Sequence, residues 1–318
     1  MHLTNLIYQT FAGIRGDELA WKLGSNRLRL LCYHGVCDDR LAGAHWMPEY
    51  FVTRSALESQ LRYLKANAQV LPLGEAVERL KNDSLPPRAV CLTFDDGYAN
   101  NIEIGAPLLE QYGMAATIFL SSAYIESGEF YPFLKLRLIR LNAPEAELMS
   151  YKSNPLDRVM ESAARWWPEV KNHLSEDQHR TLRPMTIAEV SAANPQVIAF
   201  GAHTHTHCIL SNESLERRCD EIRTSIRKVA QWTGRPVRVF SYPNGEPGDF
   251  QETDKQVLRS AGVEVAVTGV FGANRRAVDP LELRRYPVTI HHDASRFRGE
   301  VTGFRTVLRS MSERRLSA

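Results

Sequence analysis

The stretch AVCLTFDDGYANN, residues 89–101, decides how the rest of the chain is read. An apolar run of strand character, Ala89 to Phe94, passes directly into Asp95, Asp96, Gly97 and Tyr98. Two adjacent carboxylates at the end of a buried strand are unfavourable, because like charges resist ionising together where the dielectric is low. Taken alone, the tetrapeptide is also what an ordinary strand needs to turn: an Asp-Gly pair. What separates the two readings is whether other segments bring partners to these acids.

Working outward, short apolar runs alternate with helical patterns. RLRLLCYHGV (27–36), AVCLTF (89–94), AATIFL (115–120), VIAFGAH (197–203), VRVFSY (237–242), VEVAVTG (263–269) and RRYPVTI (284–290) read as strands. SALESQLRYLKAN (55–67) and NIEIGAPLLEQYG (101–113) read as helices, as does a long segment from Ser211, its expected N-cap, to Gly234, its stop. Alternation of this kind predicts an α/β architecture with a parallel sheet. Residues 122–185 break the rhythm and read as a helical insertion. Its aromatics, Phe130, Tyr131, Phe133, Trp166 and Trp167, are expected to form the insertion's own small core rather than to line a groove. The expected layout is an N-terminal helical extension over 1–27 and one domain over 28–310 that carries the insertion.

Composition narrows the classes. The 318 residues suffice for a sizeable core, and 43% hydrophobic with 24% charged residues is the balance of a globular protein. A net charge of +2 implies no polyanion partner, and no nucleic-acid-binding motif occurs. Five cysteines, Cys32, Cys37, Cys91, Cys208 and Cys219, are odd in number and sit in apolar or motif-like segments, which fits reduced thiols. The first residues lack the pattern of a signal peptide, and no apolar run has transmembrane length. Leu3, Leu6, Ile7, Phe11 and Ile14 fall at helical spacing, expected to pack on the domain, with peripheral membrane contact left open. The expected location is cytoplasmic, at most peripheral to an inner membrane.

In parallel α/β folds, ligands gather beyond the C-terminal ends of strands. Polar residues follow several predicted strands here: Asp95 and Asp96 after LTF, His203-Thr204-His205-Thr206-His207 after IAFGA, His34 in LLCYHGV, and FSYPNG (240–245). Histidines at i and i+4 with a carboxylate from another strand can make a three-donor site with one position open, the form of a catalytic zinc site.

Together TFDDG, HTHTH read as H-T-x-x-H, and FSYPNG resemble the polysaccharide deacetylase family, which shares the NodB homology domain. The resemblance runs over roughly residues 28–290. It implies an irregular (β/α) barrel of the NodB-homology type with a helical insertion, and metal-dependent hydrolysis of N-acyl groups on amino sugars. Carried onto this sequence, it implies Asp96, His203 and His207 as ligands of a divalent metal, zinc foremost among zinc, cobalt, nickel and iron, and Asp95 as catalytic base. His205 falls at a variable position of the motif. LLCYHGVCDD is similar to the permuted branch that deacetylates poly-N-acetylglucosamine in exopolysaccharide biosynthesis. That likeness implies His34 as the acid, with His291 and His292 of VTIHHD as the alternatives. Ser241 stands where many members carry an arginine, and Arg285 of LELRRYPV matches one that recurs in the permuted branch. The implied partner is an N-acetylated amino-sugar glycan or glycolipid. Two other readings stay beside it: an amidohydrolase for a small non-sugar amide, and an inactive carbohydrate-binding relative.

Overall fold

The structure, a computed structural model, describes residues 16–24 and 26–304. The helical spacing at Leu3 to Ile14 and the end of the expected domain at 310 lie outside the described residues.

The strands are β1 (Arg29–Tyr33), β2 (Val36–Cys37), β3 (Val52–Thr53), β4 (Gln69–Val70), β5 (Ala89–Phe94), β6 (Ala116–Leu120), β7 (Ile198–Ala202), β8 (Val239–Ser241), β9 (Val265–Phe271) and β10 (Leu283–Pro287). Seven of them close into a parallel barrel in the order β1-β10-β9-β8-β7-β6-β5, with β5 returning to β1. The closing pair runs in register from Arg29↔Val90 to Tyr33↔Phe94. Strand β4 adds to the beginning of β5, and β2 and β3 pair separately. The barrel is irregular. A single residue pair, Ala202↔Phe240, joins β7 to β8, and the β9–β10 register shifts between Leu283 and Arg285.

Alternation along each strand divides the side chains between two apolar layers. Val90, Leu92 and Phe94 of β5 pack in the layer that also takes Leu57, Leu61 and Leu64 from the helix Arg54–Asn67. Each of these fully buried leucines contributes roughly 1.5–3 kcal/mol. Ala89 and Cys91 instead join Leu30, Phe119, Val267 and Leu283 in a second layer. The helix Leu73–Lys81 packs Ala76, Val77 and Leu80 against it. Continuing from this layer at every second residue, polarity rises: Cys91 and Thr93 of β5 and then Asp95; Leu30 and Cys32 of β1 and then His34; Leu283 and Arg285 of β10. The same alternation that builds the apolar layer therefore delivers polar side chains to one mouth.

One local expectation shifts. The long helix is Leu215–Thr233, capped by Ser214, whose side chain accepts from Arg217 N, and not by Ser211. Ser211 instead lies in a short 3-10 turn and donates its N–H to Asp249 O at 2.9 Å. Gly234 does end the helix, at φ +65°. Between β6 and β7 the chain forms the helices Ser122–Ser127, Pro132–Asn142, Leu156–Ala164, Trp167–Asn172, Glu176–Leu182 and Ile187–Ala192. Among the described residues no helix is long and apolar enough to cross a membrane. The five cysteines are unpaired.

Candidate active site

Asp95 follows β5 and donates its N–H to Tyr33 O at 2.9 Å, so it continues the strand pairing. In an extended chain Asp96 would face the opposite way. Instead Asp96 takes φ +73° and Gly97 φ +82°, which turns both carboxylates into one cavity. Gly97 is required there: a Cβ would lie 2.4 Å from Leu120 Cδ2. Of the six non-glycine residues with positive φ among the described residues, four, Asp96, Thr204, His207 and Asn244, lie in the loops of this mouth. Backbone strain of this kind collects at functional sites.

The cavity has a volume of about 450 Å³, and Asp95, Asp96, His34, His203, His207 and Arg285 all line it. The two acids have different partners. Arg285 grips Asp95 with two parallel bonds, Nη1 to Oδ1 at 2.7 Å and Nη2 to Oδ2 at 2.6 Å. The guanidinium is itself fixed by Thr268 O at 2.8 Å and by Ser241 Oγ at 3.2 Å. Burial pushes the Asp95 carboxyl up, but Arg285 and His203 outweigh it and hold the pKa at about 2. Arg285 is 3% exposed, so this is a buried fork and not a surface ion pair. It reaches Asp95 from β10, beside the Ser241 that stands where the family's arginine is expected.

Asp96 faces histidines. Its Oδ1 lies 3.1 Å from His207 Nε2 and 3.5 Å from His203 Nε2, while its buried Oδ2 has no hydrogen-bond partner. Burial raises the Asp96 carboxyl, and the two histidines more than reverse that. For His203, burial lowers the pKa but Asp96 and Asp95 raise it further; for His207 burial prevails and the pKa falls. The far nitrogens are engaged elsewhere. His203 Nδ1 donates to Ser241 O at 2.7 Å. His207 Nδ1 lies 2.6 Å from the Tyr151 hydroxyl, which also donates to His207 O. Held at Nδ1, both rings present Nε2 to Asp96, the arrangement that orients metal-ligating imidazoles.

Donor atoms of Asp96, His203 and His207 lie within 4.8 Å of one another. A buried carboxylate oxygen without a partner and two oriented imidazole nitrogens fit a divalent cation with an open position. Cys32, His34 and Asp95 also bring donor atoms within 4.8 Å. That second group does not fit a cation, because Arg285 occupies both Asp95 oxygens and burial pushes the Cys32 thiol up. It places His34 beside Asp95 at the mouth. Burial lowers the His34 pKa against the pull of Asp96 and Asp95, and its Nδ1 has no partner.

The alternatives to His34 lie elsewhere. His292 Nδ1 accepts from Thr289 N at 3.0 Å and its Nε2 sits 3.1 Å from Glu300, while His291 is half exposed, 3.9 Å from Glu49. Neither borders the cavity. His205 turns away to Ser122 Oγ at 2.7 Å.

Sequence reasoning missed Tyr151 and the role of the inserted aromatics. Phe130, Tyr131 and Trp167 do join a core, but they share it with Trp46, Phe51 and Tyr98 from outside the insertion. Tyr131 also donates to Asp96 O, and the Phe133 ring stands 4.9 Å from that of His207. Expecting a self-contained core was too narrow, because the insertion packs over the mouth. In the Tyr242–Glu246 turn, Tyr242 N–H goes to Val267 O, Gly245 N–H to Pro243 O and Glu246 N–H to Asp249. The Asn244 N–H takes no part in these bonds, and Asn244 lines the cavity.

Comparison with known proteins agrees with this fold. The family model described as polysaccharide deacetylase matches residues 82–266. The Bacillus subtilis (strain 168) protein YxkH, a polysaccharide deacetylase by name, is 33% identical over 273 residues, 85% of this chain and 75% of that protein. The poly-beta-1,6-N-acetyl-D-glucosamine N-deacetylase of Staphylococcus epidermidis is 33% identical over 92 residues, 29% of this chain and 32% of that enzyme. Among solved structures, the Streptococcus pyogenes deacetylase PplD in complex with acetate superposes with a TM-score of 0.61 at 17% identity, over 86% of this chain and 98% of that one. With its barrel and both strand-end motifs in place, this chain belongs to the polysaccharide deacetylase family.

Proposed function

We propose that this protein is a metal-dependent hydrolase that removes N-acetyl groups from amino sugars of a polysaccharide or glycolipid. The observation that carries the reading is the division of labour within the acid pair. Asp96 faces two oriented histidines, and Asp95, one residue away, is held ionised by a buried arginine.

Asp96, His203 and His207 would hold the cation. Bound there, a divalent ion, zinc foremost, would supply Lewis-acid chemistry, making a water acidic and polarising the amide carbonyl; Asp95 is the base placed to take that water's proton. Arg285 keeps Asp95 unprotonated at neutral pH and aims its oxygens, with Ser241 as a further donor at 3.3 Å. As the carbonyl carbon becomes tetrahedral, the Asn244 N–H is the backbone donor left to its oxygen. His34 then protonates the departing amine, since an amide anion is a very poor leaving group. Its lowered pKa makes the imidazolium a stronger donor, protonated for less of the time. Arg285 acts through Asp95 and is a positioning residue.

The test is acetate release from β-1,6-linked N-acetylglucosamine oligomers. The wild type is expected to release acetate, to lose activity on chelation and to regain it with zinc, and Asp95→Asn to be inactive while folded. A folded, zinc-reloaded wild type that releases no acetate would overturn the reading in favour of a binding protein on the same barrel.

A further inference from the structure

A second cavity, of about 490 Å³, opens beside the first, and the two share Phe133, Tyr151 and Lys152. Its remaining wall includes Arg137, Arg140 and Leu141 from the helix Pro132–Asn142. No acidic side chain lines it. Arg140 and Lys152 are exposed, and among the described residues neither has an ion pair. Arg137 is half-buried and gives its guanidinium to the main-chain oxygens of His45, Trp46 and Met47, at 3.4, 3.4 and 2.8 Å. Those bonds aim the group without neutralising its charge.

Three cations around one concavity repel one another, and an anion placed among them reverses the sign of that energy. Guanidinium groups match the oxygens of a phosphoryl group in pairs, which a solvated single charge does not. With three wall residues in common, the cationic cavity lies directly beside the space in front of Asp96, within reach of a group next to the sugar bound there. Phe133, Leu136 and Leu141 add apolar wall, and Ser150 a hydroxyl.

Resting on the deacetylase reading, we propose that this second cavity binds a phosphoryl group carried by the substrate itself, next to the N-acylated sugar. The preferred substrate is then a phosphorylated amino-sugar glycan, or an amino sugar joined through phosphate to a lipid; the phosphoryl group is common to both.

The experiment compares four probes by calorimetry and by acetate release: an N-acetylglucosamine trimer, the 1-phosphates of the dimer and of the trimer, and the dodecyl phosphodiester of the trimer. Each is run on the wild type and on Arg140→Glu, which alters an exposed side chain outside the catalytic cavity. A phosphorylated probe is expected to bind the wild type about tenfold more tightly than the neutral trimer, a difference that high salt erodes. Arg140→Glu is expected to abolish that preference while leaving affinity for the neutral trimer within about twofold. A diester that outbinds the monoester points to the lipid-linked source, and the reverse order to a phosphorylated glycan. Equal affinity for neutral and phosphorylated probes, or a preference that Arg140→Glu leaves intact, overturns the proposal. Acetate released from the neutral trimer without any such preference sinks the phosphoryl site alone. A phosphate preference without acetate from any probe sinks the deacetylase reading and leaves the site standing.

Discussion

Asp95 is a buried carboxylate whose charge is tolerable only because Arg285 meets it with a fork. Removing either partner alone leaves the other stranded. Arg285→Ala is therefore expected to destabilise the fold by about 3–5 kcal/mol, read from denaturant midpoints. Arg285→Lys keeps the charge but loses the paired geometry; it is expected to recover much of the stability and much less of the activity. His34 and His292 make a second contrast. His34→Ala is expected to lower kcat by about 10²-fold or more without a comparable loss of stability. His292→Ala is expected to shift the melting temperature, through its contact with Glu300, and to leave kcat nearly unchanged. The opposite pattern would move the acid to the other end of the chain.

At the scale of elements, the site is built by turns that follow strands. The turn after β5 reverses direction through Asp96 and Gly97, and the turn after β7 is tied down by Glu221 on the long helix, which accepts from Thr206 N and Oγ1, both at 2.7 Å. Gly97→Ala would need both a positive φ and the space now held by Leu120. It is expected to destabilise the protein by about 1–3 kcal/mol. It should also weaken metal binding, because Asp96 moves with the turn; unchanged metal affinity together with reduced stability would show that the turn does not set the ligand. Much of this scale was legible in the sequence. A strand of buried residues followed by ionisable ones is a local pattern, and the donors Asp96, His203 and His207 all lie within two residues of a strand end or in its first loop. The N-cap was misplaced by three residues because both serines can cap, and the choice between them rests on a distant bond from Ser211 to Asp249. Strand β4 and the helix Leu73–Lys81 went unread: a two-residue strand has no periodicity, and that helix starts after Pro72 without a side-chain cap.

Across the whole molecule, the inserted helices are bound to the barrel and to one another by charge as well as by apolar packing. Glu129 accepts from Lys171 at 2.6 Å and pairs with Lys135 at 2.9 Å, while Arg183 joins Glu189 and Glu103, each at 2.6 Å. Burial would raise the Glu129 carboxyl, but the lysines hold it at about 2; Arg183, against burial, holds Glu189 at about 2. A carboxylate whose pKa is lower folded than unfolded stabilises fully above its unfolded value, about 4.5. That contribution is lost as pH falls from there toward 2. Hydrogen exchange is therefore expected to show the helices Pro132–Asn142 and Trp167–Asn172 losing protection below about pH 4.5, before the barrel strands do. Uniform loss across barrel and insertion would contradict it. The insertion is also where sequence reasoning stopped. Tyr151 and Lys152 reach the mouth, and Arg137 and Arg140 the cavity beside it, by tertiary packing, and nothing in their spacing announces where a helix-rich segment will fold back.

The proposed hydrolysis depends on Asp96, His203 and His207 holding one divalent cation. Elemental analysis of the purified wild type beside His203→Ala/His207→Ala tests it most directly. Close to one equivalent of a transition metal is expected in the wild type, with a near-complete loss in the folded double variant. A wild type that stays empty after incubation with zinc, or a double variant that holds as much metal as the wild type, would contradict it.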